Sequence, residues 1–153
     1  MSAVPQIRAP ELAALARRLD RVVSEGVSER AMRLIAGDLV RSTKRRIAST
    51  KAAPDGTPWL AWSDDYEARK RPGTMLKQSG ALLRSITSIA GSDTIEIGSD
   101  DIKSAVHQYG HTVGSGPFAG RRIPARPYLG ISDDDEAAIH ARIIDDVRRR
   151  FAL

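Results

Sequence analysis

The chain has 153 residues, 41% of them hydrophobic but only 5% aromatic, which suits one core filled mainly by aliphatic side chains and alanine. It holds no cysteine, so disulfides, thiolate catalysis and cysteine-bound zinc are excluded. The formal charge of +5 favours nucleic acid, acidic protein surfaces or anionic lipid, and no apolar run approaches the ~20 residues needed to cross a bilayer.

The first residues, Met1 to Arg8, carry neither a hydrophobic signal core nor a cleavage pattern, so the protein is expected to be made and kept in a cytoplasm. From Pro10 the spacing predicts a helix with Leu12, Leu15, Ala16, Leu19 and Val22 or Val23 on its apolar face, ended by Gly26. Ser28 is placed to cap a second helix running to about Thr50, with Ala31, Leu34, Ile35, Leu39, Thr43 and Ile47 on one stripe. Its last turns carry Lys44, Arg45 and Arg46, which suit the negative end of the helix dipole.

Ala53-Pro-Asp-Gly-Thr-Pro58 reads as a turn, since proline presets φ and Asp-Gly tolerates positive φ. Trp59 and Trp62 follow, one of them expected as a buried anchor. Residues from about 60 to 75, polar and basic from 64 to 74, read as a mobile loop.

Ser79 is placed to cap a short helical turn carrying Leu82, Leu83 and Ile86. Ser88-Ile-Ala and Thr94-Ile-Glu-Ile-Gly98 flank Gly91-Ser-Asp93 as a hairpin, with Ile95 and Ile97 alternating with Glu96. Further strand is expected between Gly110 and Ile123, interrupted by a loop tip at Gly114-Ser-Gly-Pro117. The chain closes on a helix in which Ser132 and Asp135 form a capping box and Ile139, Ile143, Val147 and Phe151 make the apolar stripe. The order implies an α+β fold, with N-terminal helices (10–50) and a C-terminal helix packed on a small antiparallel β-sheet (76–153), as one domain over 1–153.

Catalytic patterns are missing. His107 and His111 stand four apart, but Gly110 lies between them and no glutamate occupies the neighbouring position, so a helical zinc site is not assigned. The run Asp133-Asp-Asp-Glu136 is accounted for by helix capping, and no serine sits in a Gly-x-Ser-x-Gly turn. No catalytic residue, cofactor or metal is assigned, and no enzyme activity is expected. The basic clusters support a second reading, a sequence-independent nucleic-acid binder whose affinity falls steeply with salt. No helix-turn-helix, RNP-type strand or zinc finger accompanies them.

Four segments carry a likeness: Ala53-Pro-Asp-Gly-Thr-Pro-Trp59, Leu76-Lys-Gln-Ser-Gly-Ala-Leu-Leu-Arg-Ser-Ile86, Val106-His-Gln-Tyr-Gly110 and Ile123-Pro-Ala-Arg-Pro-Tyr-Leu-Gly-Ile-Ser-Asp133. In that order they resemble the phage virion morphogenesis family, the tail-completion proteins of Mu-like and related tailed phages. Some relatives carry a longer basic stretch after the Asp-Gly turn, where this chain has Trp62-Ser-Asp-Asp-Tyr66 first.

The resemblance implies a non-enzymatic virion component of the tail or neck. It would act as a ring of copies, a hexamer by family analogy, meeting tail terminator, tail tube or head–tail connector proteins. His107, Gln108, Tyr109, Arg122, Pro124, Arg126 and Tyr128 are then the candidate interface. Lys44, Arg45 and Arg46 are candidates to face either an acidic partner or the path of packaged DNA, with transient, non-specific contact and no membrane. Two readings of the Ile123–Ser132 loop stand together. Prolines brace Arg126 and Tyr128 for docking, or Tyr128 and Leu129 pack beneath the last helix while Arg126 pairs with an aspartate of 133–135.

Overall fold

A computed structural model describes residues 9–62, 67–68, 75–76 and 79–151. Most of the segment expected to be a mobile loop lies outside the described residues. The elements in chain order are helix α1 (Ala9–Glu25), helix α2 (Glu29–Arg45) extended by one π-type turn (Arg46–Thr50), helix α3 (Ala81–Ser85), strands β1 (Ile86–Ala90) and β2 (Ile95–Ser99), helix α4 (Ser104–Tyr109), strands β3 (His111–Thr112) and β4 (Arg122–Ile123), and helix α5 (Asp133–Phe151). The α+β expectation holds, with the sheet divided into two antiparallel pairs, β1–β2 and β3–β4.

Helix α2 is the centre of the molecule, packing on the β1–β2 hairpin and on α5. It begins as its sequence indicates: Ser28 is extended (φ −67, ψ 150) and its hydroxyl accepts from the Ala31 amide at 3.2 Å. Ala31, Met32, Ile35, Ala36, Leu39, Thr43 and Ile47 are buried, so the anticipated stripe is correct apart from Leu34, which is only half-buried.

Helices α2 and α5 run antiparallel, fastened at three levels. Asp146 of α5 accepts the Ser28 backbone N–H at 3.0 Å and its hydroxyl at 2.5 Å. Asp38 pairs with Arg142 at 2.8 Å, and Arg46 pairs with Asp135 at 3.0 Å. Ile139, Ile143 and Val147 lie half-buried along the seam, and Phe151 is buried.

The hydrophobic centre lies at the C-terminal end of α2, where Ile47, Trp59, Leu82, Ile86 and Tyr128 meet. Ile86 is paired with Ser99 at the start of β1, and Ala90 with Ile95 at the turn. The Asp-Gly turn forms as expected: Gly56 has φ +85, the Ala53 amide donates to Thr57 O at 2.8 Å, and Asp55 accepts the Thr57 amide at 2.9 Å.

Four features differ from expectation. The last turn of α2 widens: the Lys51 amide donates to Arg46 O at 3.0 Å, five residues back, and Lys51 ends the turn at φ +55. Ile86 opens a strand instead of closing the short helix. Helix α4, not anticipated, forms over six residues without a side-chain cap and is held by the loop that follows β4. Lastly, the described part of the expected apolar face of α1 is largely open: Ala16 is exposed, Leu19 is 55% exposed and Val23 83%, while Val22 is half-buried. Periodicity shows that a helix has an apolar face but not what covers it, and α1 is tied to the body by polar groups, with Arg150 holding both Glu25 and the Gly26 carbonyl.

Candidate assembly surface

The two segments nearest the C-terminus that carry the family likeness lock into each other. The Gln108 carboxamide does most of this work. Its Oε1 accepts the backbone N–H groups of Tyr128 and Leu129, each at 3.0 Å, and its Nε2 donates to Leu129 O at 3.3 Å. The Tyr128 hydroxyl donates to Ser104 O at 3.2 Å, and the Arg126 amide donates to His107 O at 2.7 Å. Helix α4 is therefore stitched along its length to the loop at 124–132.

Two glycines permit the approach. A Cβ on Gly110, at φ +75, would sit 2.9 Å from both Ala125 N and Ile123 O. On Gly130, at φ +141, it would sit 2.6 Å from Pro54 Cγ. The Asp-Gly turn thus reaches the same loop, and the Trp59 indole N–H donates to Pro127 O at 2.8 Å.

Behind the loop stands the Arg46 guanidinium. It donates to Tyr128 O at 2.6 Å, to Gly130 O at 3.4 Å and to Asp135 Oδ2 at 3.0 Å, with both charged side chains 6% exposed. The same Asp135 oxygen accepts the Ser132 amide at 3.0 Å and its hydroxyl at 2.7 Å, completing the capping box. Burial pushes the Asp135 carboxyl upward, but hydrogen bonds from Ser42 and Ser132 and the Arg46 charge outweigh it, so its pKa lies below 3.8. Burial likewise pushes the Tyr128 phenol above 10.0.

These positions bear on the expected interface. Tyr128 is 0% exposed and Arg126 6%, so both side chains are taken up inside the subunit. Arg126 does not pair with an aspartate of 133–135: its guanidinium donates to Leu60 O at 3.2 and 3.1 Å, and Arg46 takes Asp135 instead. Arg46, 5% exposed, also leaves the basic helix end, where Lys44 is half-buried and Arg45 exposed. Of the remaining candidates, His107, Gln108 and Pro124 are half-buried, while Tyr109 and Arg122 face solvent.

What projects outward is the hairpin from β3 to β4. Val113 and Arg121 continue its ladder with a 2.9 Å bond, and the Gly120 amide donates to Val113 O at 2.8 Å. Beside its base Tyr109 is 78% exposed, and near its tip Phe118 is 55% exposed with the Arg121 guanidinium 4.9 Å from the ring centroid. The sequence reading did not single out Phe118. A usable signal was present, because residues 102–132 contain Lys103, Arg121, Arg122 and Arg126 but no aspartate or glutamate.

The positive charge is less available than the composition suggests. Arg33, Arg41, Arg142, Arg149 and Arg150 are each paired with a carboxylate of the same chain. Among the described residues no group of three His, Asp or Glu side chains is placed to hold a metal ion, and no helix is long and apolar enough to cross a membrane.

The model of the phage virion morphogenesis family matches residues 11–148. The chain is 38% identical over 126 residues to "Putative capsid assembly protein G" of Escherichia phage Mu, covering 78% of this chain and 77% of that protein. It is 32% identical over 107 residues to "Mu-like prophage FluMu G protein 2" of Haemophilus influenzae, covering 64% of this chain and 73% of that one. No solved structure matches.

Proposed function

Because the chain belongs to the phage virion morphogenesis family, we propose that it is a structural protein that completes the tail of a tailed phage or prophage and joins it to the head at the neck. A role in virion assembly follows from the family and from the Mu and Haemophilus relatives. The tail, the neck and the ring are our reading.

The observation that carries it is the division of labour around the β3–β4 hairpin. The residues of the likeness, Gln108, Gly110, Tyr128 and Gly130, fix a frame inside the subunit. The frame holds Tyr109, Phe118 and Arg122 outward. Such a rigid aromatic and guanidinium surface loses little entropy on docking and suits a protein partner. In this reading the partners are further copies of the chain, six by family analogy, together with terminator, tail-tube or connector proteins. Exposed Arg45 and half-buried Lys44 line either the DNA path or the seat of an acidic partner. The protein works as a scaffold without catalytic residues or cofactors, and it resides in the virion after synthesis in the bacterial host. The nucleic-acid reading is weaker because so many guanidiniums are buried or paired within the subunit.

Deleting the gene from the phage or prophage and viewing the lysate by electron microscopy tests the proposal. Filled heads accumulating beside unjoined tails is the expected result. Loss of heads themselves would place the protein in capsid assembly and overturn it.

A further inference from the structure

Two features lack a partner among the described residues. The first is the outer face of α1, where Ala16 is exposed, Leu19 is 55% exposed and Val23 is 83% exposed. The second is a groove of about 680 Å³ between α2 and α5, with room for several side chains. Ala138 and Ala141 lie in it; of its charged lining, Asp38 pairs with Arg41 and Arg142, Asp135 with Arg46 and Asp145 with Arg149, which leaves Arg45 on the α2 side and Asp134 on the α5 side. No described α1 side chain lines that groove, and Arg150 ties the C-terminal end of α1 to the last turn of α5.

We infer that α1 of one copy seats in the α2–α5 groove of a second copy. This builds on the reading of the protein as a ring and supplies its contact. The fit is one of shape and of charge. Small alanines let a third helix approach closely, and the 17 residues of α1 make a rod of about 26 Å. Arg18 and Asp20 stand about 100° to either side of Leu19 on the helix circumference. With Leu19 seated and α1 lying in the matching direction along the groove, Arg18 meets Asp134 of α5 and Asp20 meets Arg45 of α2. The surfaces that touch differ from each other, so the contact is head-to-tail, the kind that builds a ring where its rotation closes.

The absence of native cysteine allows a clean test. Ser24→Cys is made in one full-length chain and Ala141→Cys in another, both exposed positions, and the mixture is treated with a short bis-maleimide. A covalent heterodimer is expected from the mixture. A chain carrying both cysteines should give a ladder of oligomers that stops at the ring size. Adding Leu19→Glu and Val23→Glu should lower the yield by more than about tenfold without moving the melting temperature, since both side chains are already exposed.

Several outcomes would overturn the contact. These are cross-linking within one chain of the double-cysteine protein, cross-linking only to a different virion protein in a lysate, no product in either setting, or a yield indifferent to the two glutamates. Cross-linking reads contact between copies wherever in the virion they act. The deletion experiment can therefore fail while this one succeeds, and the reverse.

Discussion

The loop at 124–132 and helix α1 are opposites. The loop carries Arg126, Tyr128 and Leu129, residues that look made for docking, yet their backbone and side-chain groups are satisfied inside the subunit. Helix α1 has an ordinary amphipathic sequence, and its Leu19 and Val23 face outward. Distinctive residues therefore mark what the fold must hold fixed, and unremarkable ones stand at the surface. Residues that hold a backbone in place need particular shapes and hydrogen-bonding groups, whereas a docking face needs only area and charge.

The largest effects that sharpen the contrast lie in the buried frame. Arg46→Met leaves Asp135 without its charge partner, and unfolding in urea should show a loss of about 3–5 kcal/mol. Gln108→Ala strands two amide groups of the loop, so a loss of about 2 kcal/mol is expected. Ser132→Ala removes a helix cap and should cost about 1 kcal/mol by the same measurement.

Acid should act on the same frame. Asp38 is held below 3.8 chiefly by its hydrogen bond from Arg142. Asp135 and Asp146 are pushed up by burial but pulled further down by their serine and arginine partners. Stabilisation from all three is complete above their ordinary value and is lost as pH falls through the lowered folded values. A series of urea titrations below pH 4 should show stability declining, with a shallower decline in Asp135→Asn. The smallest effect on the fold belongs to the outward face. Phe118→Ala should change stability by less than about 0.5 kcal/mol yet reduce infectious particles. A large loss of stability instead would mean that the hairpin belongs to the frame.

Legibility in the sequence follows the same division. The caps at Ser28 and Ser132, the Asp-Gly turn, the β1–β2 hairpin and the α2 stripe were readable because each rests on local chemistry within a few residues. The sequence places the anchor at one of two tryptophans without choosing between them, because the indole bond of Trp59 to Pro127 spans 68 residues. The fate of Arg46 and Arg126 was not readable. A guanidinium looks alike in sequence whether it meets solvent, a partner or a carbonyl of its own chain, and the deciding contacts lie 82 and 66 residues away. Helix α4 was missed for a related reason, since tertiary bonds from the loop hold it in place of caps.

The closeness of Gly130 to Pro54 bears on how such proteins can be recombined. The turn near residue 55 and the bend near residue 130 are cut to each other's outline, with no space for even one added carbon. Grafting either piece alone from a relative with a bulkier residue at this junction would wedge the two apart. A workable chimera would take both pieces from one parent, with crossover points before Ala52 and after Ser132.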